Sequence, residues 1–436
     1  MHFQSLLGNA VMAGFGMITL AILYRGLSAT DIGTYIFFLT AIGLIDTLRV
    51  GFLTTTFVKF YTGTEKERGE AVAGASWVIA LLITVFLFLL NIPAYFIASH
   101  VSNEGLVLFL KYFSIISVMT LPTFMANCVV QADKRFDRLL WLRVMTQGSF
   151  TLIVFILALM GKLSIDTVVG GYCLSYFVSG ILVFILKWTM IRSIKNAEKP
   201  TVLELFHFGK YSMGTNIGAN LFGVTNTFVI NFLIGPAALA MYNLGGKLTQ
   251  LIEIPLSSFG ATGMPILSSY YNRGEKEEMM YTLKKFIGMI TIALVPVVIM
   301  AVVFAEPIIR LIAGKGYIDN ETPNLFRMFM IIALLYPADR FFALALDVIH
   351  QPKVNFYKIL VMLAVNISTV FLGISLYHSV YTIAIASIFP TLIAILMTYY
   401  PLYKYSKFSF WSMFIIGYKE IIVFLKQMSK ALLSKG

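Results

Sequence analysis

Apolar runs long enough to cross a bilayer recur twelve times between residues 5 and 402, and no other feature restricts the fold so sharply. They cover roughly 5–24, 32–60, 72–98, 105–130, 139–160, 166–186, 208–234, 238–268, 284–305, 323–349, 354–377 and 379–402. About 20 helical residues at a rise of about 1.5 Å each cross a hydrocarbon layer of about 30 Å. Inside that layer every backbone N–H and C=O must be satisfied by the chain itself, so only helices or closed barrels span it. The runs lack the ten-residue alternation of barrel strands, which excludes a barrel. Charged residues make up only 12% of the chain and mean hydropathy is +0.84, whereas a soluble domain carries about 25% charge. The sequence therefore predicts an all-α polytopic membrane protein with about twelve transmembrane helices.

The connections sort by charge. Seventeen lysines and arginines follow the even-numbered spans (among them Lys134, Arg135, Arg138 and Arg143 after the fourth, Lys353 and Lys358 after the tenth), against Arg25, Lys162, Arg310 and Lys315 on the other side. The positive-inside rule then puts the even-numbered connections and both termini in the cytoplasm of a cell membrane. Residues 5–24 lack a basic leader and a small-residue cleavage site, so they read as a retained first helix. Cys128 and Cys173 lie inside apolar runs, with neither a disulfide framework nor metal spacing. No GxxxxGK[ST] loop, GxSxG elbow or paired Cys/His cluster is present. The expectation is a chain with no catalytic residues, no metal, no cofactor and no nucleic-acid partner.

A shift of 207 residues lays spans 1–2 on spans 7–8 without a gap. Tyr35 meets Tyr242, Leu44-Ile45 meets Leu251-Ile252, and Phe52 meets Phe259. Asp46 meets Glu253, so an acid recurs at the same depth. Six spans per half give both halves the same orientation, a parallel repeat. The expected organisation is a six-helix lobe over 1–186, a cytoplasmic linker over 187–207, a second six-helix lobe over 208–403 and a basic tail over 404–436. In the tail Trp411, Phe414, Ile415, Tyr418, Ile422 and Leu425 share a helical face, with Lys419, Lys426 and Lys430 at polar positions. That pattern predicts an amphipathic helix on the cytoplasmic leaflet.

Polar side chains inside the spans mark candidate sites, because charge in hydrocarbon needs a partner, water or ligand. Span 2 carries Asp46 and Arg49, at i and i+3 on one helix face. Span 7 carries Asn216 and Asn220 on a stripe that continues through Thr227 and Asn231. Span 8 carries Gln250 and Glu253, and span 10 carries Asp339 and Arg340 just after Pro337. These eight are the candidate cavity residues, and Asp46, Glu253 and Asp339 are candidates for ion coupling. The bland alternatives are a local ion pair at Asp46–Arg49 and helix-packing contacts for the small residues. Pro122, Pro255, Pro296, Pro337 and Pro390 are expected bend points.

Three segments then carry a family resemblance over residues 1–403. Leu27-Ser-Ala-Thr-Asp-Ile-Gly-Thr-Tyr35 resembles the entry to span 2 of bacterial polysaccharide flippases in the multidrug/oligosaccharidyl-lipid/polysaccharide exporter superfamily. Ile234-Gly-Pro-Ala-Ala-Leu-Ala-Met-Tyr242 and Ile309-Arg-Leu-Ile-Ala-Gly-Lys-Gly-Tyr317 resemble later positions of the same family. The resemblance implies two lobes around a cavity that opens to alternate sides. It implies a substrate of oligosaccharide on undecaprenyl diphosphate, used for O-antigen, capsule or exopolysaccharide. Membrane lipids and other surface-polysaccharide assembly proteins are the implied partners, and a monomer is the expected state. Arg49 is the first candidate for the diphosphate, Arg340 the second. A cation-coupled multidrug antiporter of the same superfamily is the alternative.

Overall fold

The computed structural model of the protein describes residues 2–377 and 379–433. In chain order its helices are α1 (His2–Gly26), α2 (Ala29–Tyr61), α3 (Lys66–Ile97), α4 (Glu104–Ala132), α5 (Phe136–Leu159), α6 (Ile165–Ile185) and α7 (Lys199–Leu233). They continue with α8 (Pro236–Asn272), α9 (Lys276–Val303), α10 (Ala305–Ala313), α11 (Thr322–Val348), α12 (Pro352–Tyr377), α13 (Val380–Tyr405) and α14 (Ser412–Leu433). Each of the twelve expected spans has its helix, α1–α9 and α11–α13. Among the described residues nine helices are long and apolar enough to cross a membrane, with shorter apolar stretches at Val11–Gly26 and Gly223–Leu233. The all-α polytopic fold read from hydropathy is borne out.

The helices start where the sequence supplies an acceptor for their free N–H groups. Ser28 Oγ accepts from the Asp31 N–H at 3.1 Å, and Asn103 Oδ1 accepts from the Leu106 N–H at 3.0 Å. Ser164 and Thr167 cap α6 reciprocally. Three spans are interrupted. A π turn, Val144–Gly148, splits α5. A 3-10 turn, Ala333–Leu335, splits α11 ahead of Pro337, whose missing N–H breaks the ladder there. The third break, at Ser387 in α13, precedes Pro390. Helix α4 runs unbroken through Pro122, α8 through Pro255 and α9 through Pro296.

The chain divides into two compact units, Met1–Ala240 and Met241–Gly436. The first reaches beyond the boundary expected at 187–207 because α7 packs along α2. The two run antiparallel: Phe52 meets Phe206 with ring centroids 5.5 Å apart, and Phe37 meets Phe228 at 4.8 Å. Gly51 makes the close approach possible, since a Cβ there would lie 2.8 Å from Asn216 Cβ and 3.1 Å from Met213 Cα. The segment before α7 is not a loose linker. Its 3-10 turn Ile191–Asn196 rests on α3, where Trp77 Nε1 donates to the Thr189 carbonyl at 2.7 Å and Asn196 Nδ2 donates to Glu70 at 2.7 Å. Phe57, Trp77, Met125 and Leu205 form one core of this unit, and Phe38, Phe113, Phe150 and Val168 another.

In the second unit Leu283, Phe341, Phe342, Leu346 and Met413 form the core. The tail is helical, as its spacing predicts, and one face of α14 packs antiparallel on α9. A Cβ on Gly417 would fall 2.2 Å from the Gly288 carbonyl carbon, so the two backbones touch. Glu420 accepts from Lys285 and from the Tyr281 hydroxyl, the latter at 2.6 Å. The outward face carries Trp411, Ile415 and Tyr418, then Lys419 and Lys426. Leu425 and Lys430 lie outside the described side chains. Elsewhere α3 turns Leu82, Phe86, Leu89 and Phe96 outward, and bare apolar faces of this extent belong in lipid.

Candidate functional site

The first unit has an open cavity of about 280 Å³ bordered by α1, α2, α4, α5 and α6. Helix α2 contributes Asp46 and Arg49, the pair predicted from their i, i+3 spacing. Arg49 is 1% exposed. Its NH1 donates to the Ser117 carbonyl at 2.8 Å, and its NH2 donates to Asp46 Oδ1 and to Thr120 Oγ1, both at 2.6 Å. The guanidinium carbon lies 4.9 Å from the Phe124 ring centre, a cation–π contact. Arg49 is thus clamped between its own helix and α4. Asp46 keeps 31% of its side chain accessible and faces the cavity.

Helix α4 lines the opposite wall with Thr120, Thr123, Phe124, Asn127 and Gln131. From Thr120 to Gln131 the wall runs about 16 Å along the helix at about 1.5 Å per residue. The threonine hydroxyl protons are taken up locally: Thr120 donates to the Ile116 carbonyl at 2.9 Å and Thr123 to the Thr120 carbonyl at 2.9 Å. Gln131 Nε2 donates to Asn127 Oδ1 at 2.9 Å, which leaves the Asn127 amino group as a further donor. Helix α5 contributes Arg143 and Thr146 at its π turn, and α6 contributes Tyr176. The described lining thus carries two arginines and one aspartate.

The second unit gathers a different set. Asp339 and Arg340 leave the break in α11 in different directions. Asp339 Oδ1 accepts from Lys358 Nζ at 2.9 Å, and Lys358 is buried on α12. The Arg340 Nε approaches α8 within 3.9 Å of where a Cβ on Gly260 would stand. Arg340 and Lys247 are the cations whose fields act on Glu253. Gln250 is exposed on α8. Asn216 and Asn220, back in the first unit, donate to their own helix at the Ser212 and Asn216 carbonyls, both at 2.9 Å. Of the ion-coupling candidates, Asp46 and Asp339 are each paired with a cation. Among the described residues no three His, Cys, Asp or Glu side chains are grouped to hold a metal.

The sequence matches the family described as "Polysaccharide biosynthesis protein" over residues 22–320, more than half of the chain. The chain belongs to that family. A curated relative, "Probable low-salt glycan biosynthesis flippase Agl15" of Haloferax volcanii, is 18% identical over 316 residues, 71% of this chain. The match spans 64% of that relative, less than two thirds of its length. Among solved structures, an inward-facing multidrug-resistance MATE transporter of the MOP superfamily superposes with a TM-score of 0.71 at 15% identity, covering 91% of this chain and 96% of that one. The lipid II flippase MurJ in an inward closed conformation gives 0.70 at 15% identity, covering 99% and 100%. At that identity the likeness is one of fold. The family resemblance carried by the three segments is borne out by that match.

Asp46 and Arg49 come together as their spacing requires. Arg143 and Lys358 were counted with loop charges, yet Arg143 lies on the cavity wall and Lys358 is buried inside α12. The α4 wall was missed altogether. Its signal is plain in hindsight: Thr120, Thr123, Asn127 and Gln131 recur at steps of three, four and four, the spacing of one helix face.

Proposed function

We propose that this protein is a flippase that moves a polyprenyl-diphosphate-linked oligosaccharide from the cytoplasmic to the outer leaflet of a cell membrane by alternating access. The observation that carries the reading is the cavity in the first unit, where Arg49, Arg143 and Asp46 share a wall with threonine hydroxyls and the amides of Asn127 and Gln131. An arginine fork suits phosphate oxygens geometrically as well as electrically. The amide-bearing α4 wall suits hydroxylated sugars next to the diphosphate. Membership of a polysaccharide biosynthesis family and the likeness to a named glycan flippase point the same way. The charge asymmetry of the loops supports cytoplasmic termini and loading from the inner leaflet.

The test is deletion of the gene followed by mass spectrometry of extracted lipids. A flippase leaves a lipid-linked glycan that accumulates on the cytoplasmic side, and the accumulated species identifies the substrate. A normal surface glycan with no accumulated intermediate would refute the reading. The likeness to a multidrug MATE transporter keeps one rival in view, a cation-coupled drug antiporter. That activity needs an acid free to meet a cationic substrate, and Asp46 is bound to Arg49. Expression in a dye-sensitive host should leave sensitivity to cationic dyes unchanged.

A further inference from the structure

Span α9 fixes where the membrane lies against the tail. Its apolar run from Phe286 to Val303 covers about 27 Å of helix, close to the full hydrocarbon thickness. Lys284 and Lys285, just before that run, stand at the headgroup boundary, on the side that the loop charges make cytoplasmic. Helix α14 does not stay at that boundary. A Cβ on Gly288 would fall 2.0 Å from the Met413 carbonyl oxygen, so the two backbones touch inside the apolar run. Further along α14, Glu420 accepts from Lys285 and Tyr281, back at the boundary. The helix therefore descends toward the cytoplasm beside α9, with its first turn about 10 Å inside the leaflet. A helix lying flat on the surface would cross a span once instead of following it over two turns.

The chain must turn back into the leaflet to reach that start. Helix α13 ends at Tyr405, level with the beginning of α9, where Lys276 Nζ lies 4.4 Å from the Tyr405 ring centre. Residues 406–411 then climb as a bend and a turn. Irregular backbone at membrane depth is tolerated only under protein cover, and the cover is present. The Tyr399 hydroxyl donates to the Phe408 carbonyl at 2.7 Å, and the Ser409 carbonyl accepts from the Ser412 N–H at 3.0 Å. The buried Phe408 ring packs on Phe342 and Tyr399, with centroids 6.3 and 5.1 Å away.

The opposite face is bare among the described residues. Trp411, Ile415 and Tyr418 are exposed there, and so is Lys419, at the level of Lys284. The rise from Lys419 to Trp411 is about 12 Å, the reach of one phospholipid from its headgroup to the lower half of its acyl chain. Glu420, beside Lys419, is already taken by Lys285. Glu277 and Glu278 lie about 10 Å further out along α9. A lysine at the headgroup plane draws anionic lipid. We propose that residues 406–433 form a re-entrant hook in the cytoplasmic leaflet, and that its outward face binds an anionic phospholipid, with Lys419 at the headgroup and Trp411, Ile415 and Tyr418 along the acyl chain. The inference rests on the membrane-spanning fold and the loop-charge orientation, and it is independent of the flippase reading.

The test uses the purified full chain reconstituted in phosphatidylcholine vesicles. Trp411 fluorescence is taken as the difference between the wild type and Trp411→Phe, a change at an exposed position. Lipids brominated on the acyl chain quench a tryptophan that they touch. Bromines in the lower half of the chain should quench Trp411 more strongly than bromines next to the headgroup. The reverse order, or no quenching, would mean a flat or lipid-free tail and would overturn the hook. The anionic site is read at one bromine depth, with brominated phosphatidylglycerol against brominated phosphatidylcholine. The wild type should favour phosphatidylglycerol by about two- to fivefold, as expected for one lysine at the headgroup plane. Lys419→Arg should keep that preference. Lys419→Gln should lose it with the depth order unchanged, a combination that a misfolded tail would not give. Equal quenching by the two lipids in the wild type, or an undiminished preference in Lys419→Gln, would overturn the anionic lipid site.

Discussion

Replacing Arg49 by Met keeps most of the side-chain stem and removes the charge. It deletes hydrogen bonds of 2.6, 2.6 and 2.8 Å to Asp46, Thr120 and the Ser117 carbonyl, and the contact with Phe124. Each charged hydrogen bond is worth about 1.5–3 kcal/mol net, and removing one member of a buried ion pair costs about 3–5 kcal/mol. Asp46 is 31% accessible and can rehydrate through the cavity, so the lower end applies, about 3 kcal/mol. A loss of that size lowers the amount of folded protein, whereas a residue that only binds substrate would leave it unchanged. The two roles separate in a double-mutant cycle. If the ion pair is the source of the loss, Asp46→Asn in the Arg49→Met background should recover about 1–2 kcal/mol, because no unpaired carboxylate remains. Thermal unfolding in detergent, followed by fluorescence-detected size exclusion, measures both effects. An Arg49→Met protein that melts with the wild type, or a double variant no better than the single one, would show that Arg49 is not a brace.

Three further perturbations test other parts of the site and fold. Deleting Met145 should convert the π turn to α-helix and rotate the Phe136–Arg143 segment by about 100° against the rest of α5, so the amount of surface glycan restored to a deletion strain should fall while circular dichroism of the purified protein stays helical. Gly51→Leu should push α7 off α2, since a Cβ there already lies 2.8 Å from Asn216 Cβ; disulfide yield between Phe37→Cys and Phe228→Cys should fall with it. The third concerns Glu420, whose carboxyl is held below its ordinary range by bonds from Lys285 and then Tyr281. A depressed folded-state value stabilises the docked tail above the unfolded value of about 4.3 and loses that contribution as pH falls below it. Docking of α14 should therefore be constant from about pH 8 to 5 and loosen only in stronger acid. Fluorescence of Trp411, with the other tryptophans replaced by phenylalanine, should show a flat profile in that range, and Glu420→Gln should shift the signal at neutral pH.

Hydropathy made the twelve spans legible because membrane insertion is decided by local composition over about 20 residues. The caps at Ser28, Asn103 and Ser164 are local as well. The docking of α14 is not local. It depends on Gly288 and Gly417 meeting across 129 positions of chain, and a glycine in sequence does not say which backbone approaches it. The amphipathic pattern of the tail was real, but its buried side faces α9 rather than the surface alone. The first unit reaches Ala240 for a similar reason: α7 follows a lobe boundary in sequence, yet its partner is α2.

The site divides along the same line. Asp46 and Arg49 were legible because one turn of one helix brings them together, whatever surrounds it. The stripes on α4 and α7 look alike in sequence, with amides and threonines at steps of three and four. They differ in what lies opposite. On α7, Asn216 faces the close approach at Gly51 and turns its amide back to the Ser212 carbonyl. On α4, Asn127 and Gln131 line the open cavity, which the π turn of α5 also borders. A polar stripe thus becomes packing or a binding wall according to whether the neighbouring helix keeps its register. In α5 the π turn Val144–Gly148 marks such a change of register, and Arg143, the residue before it, stands on the cavity wall.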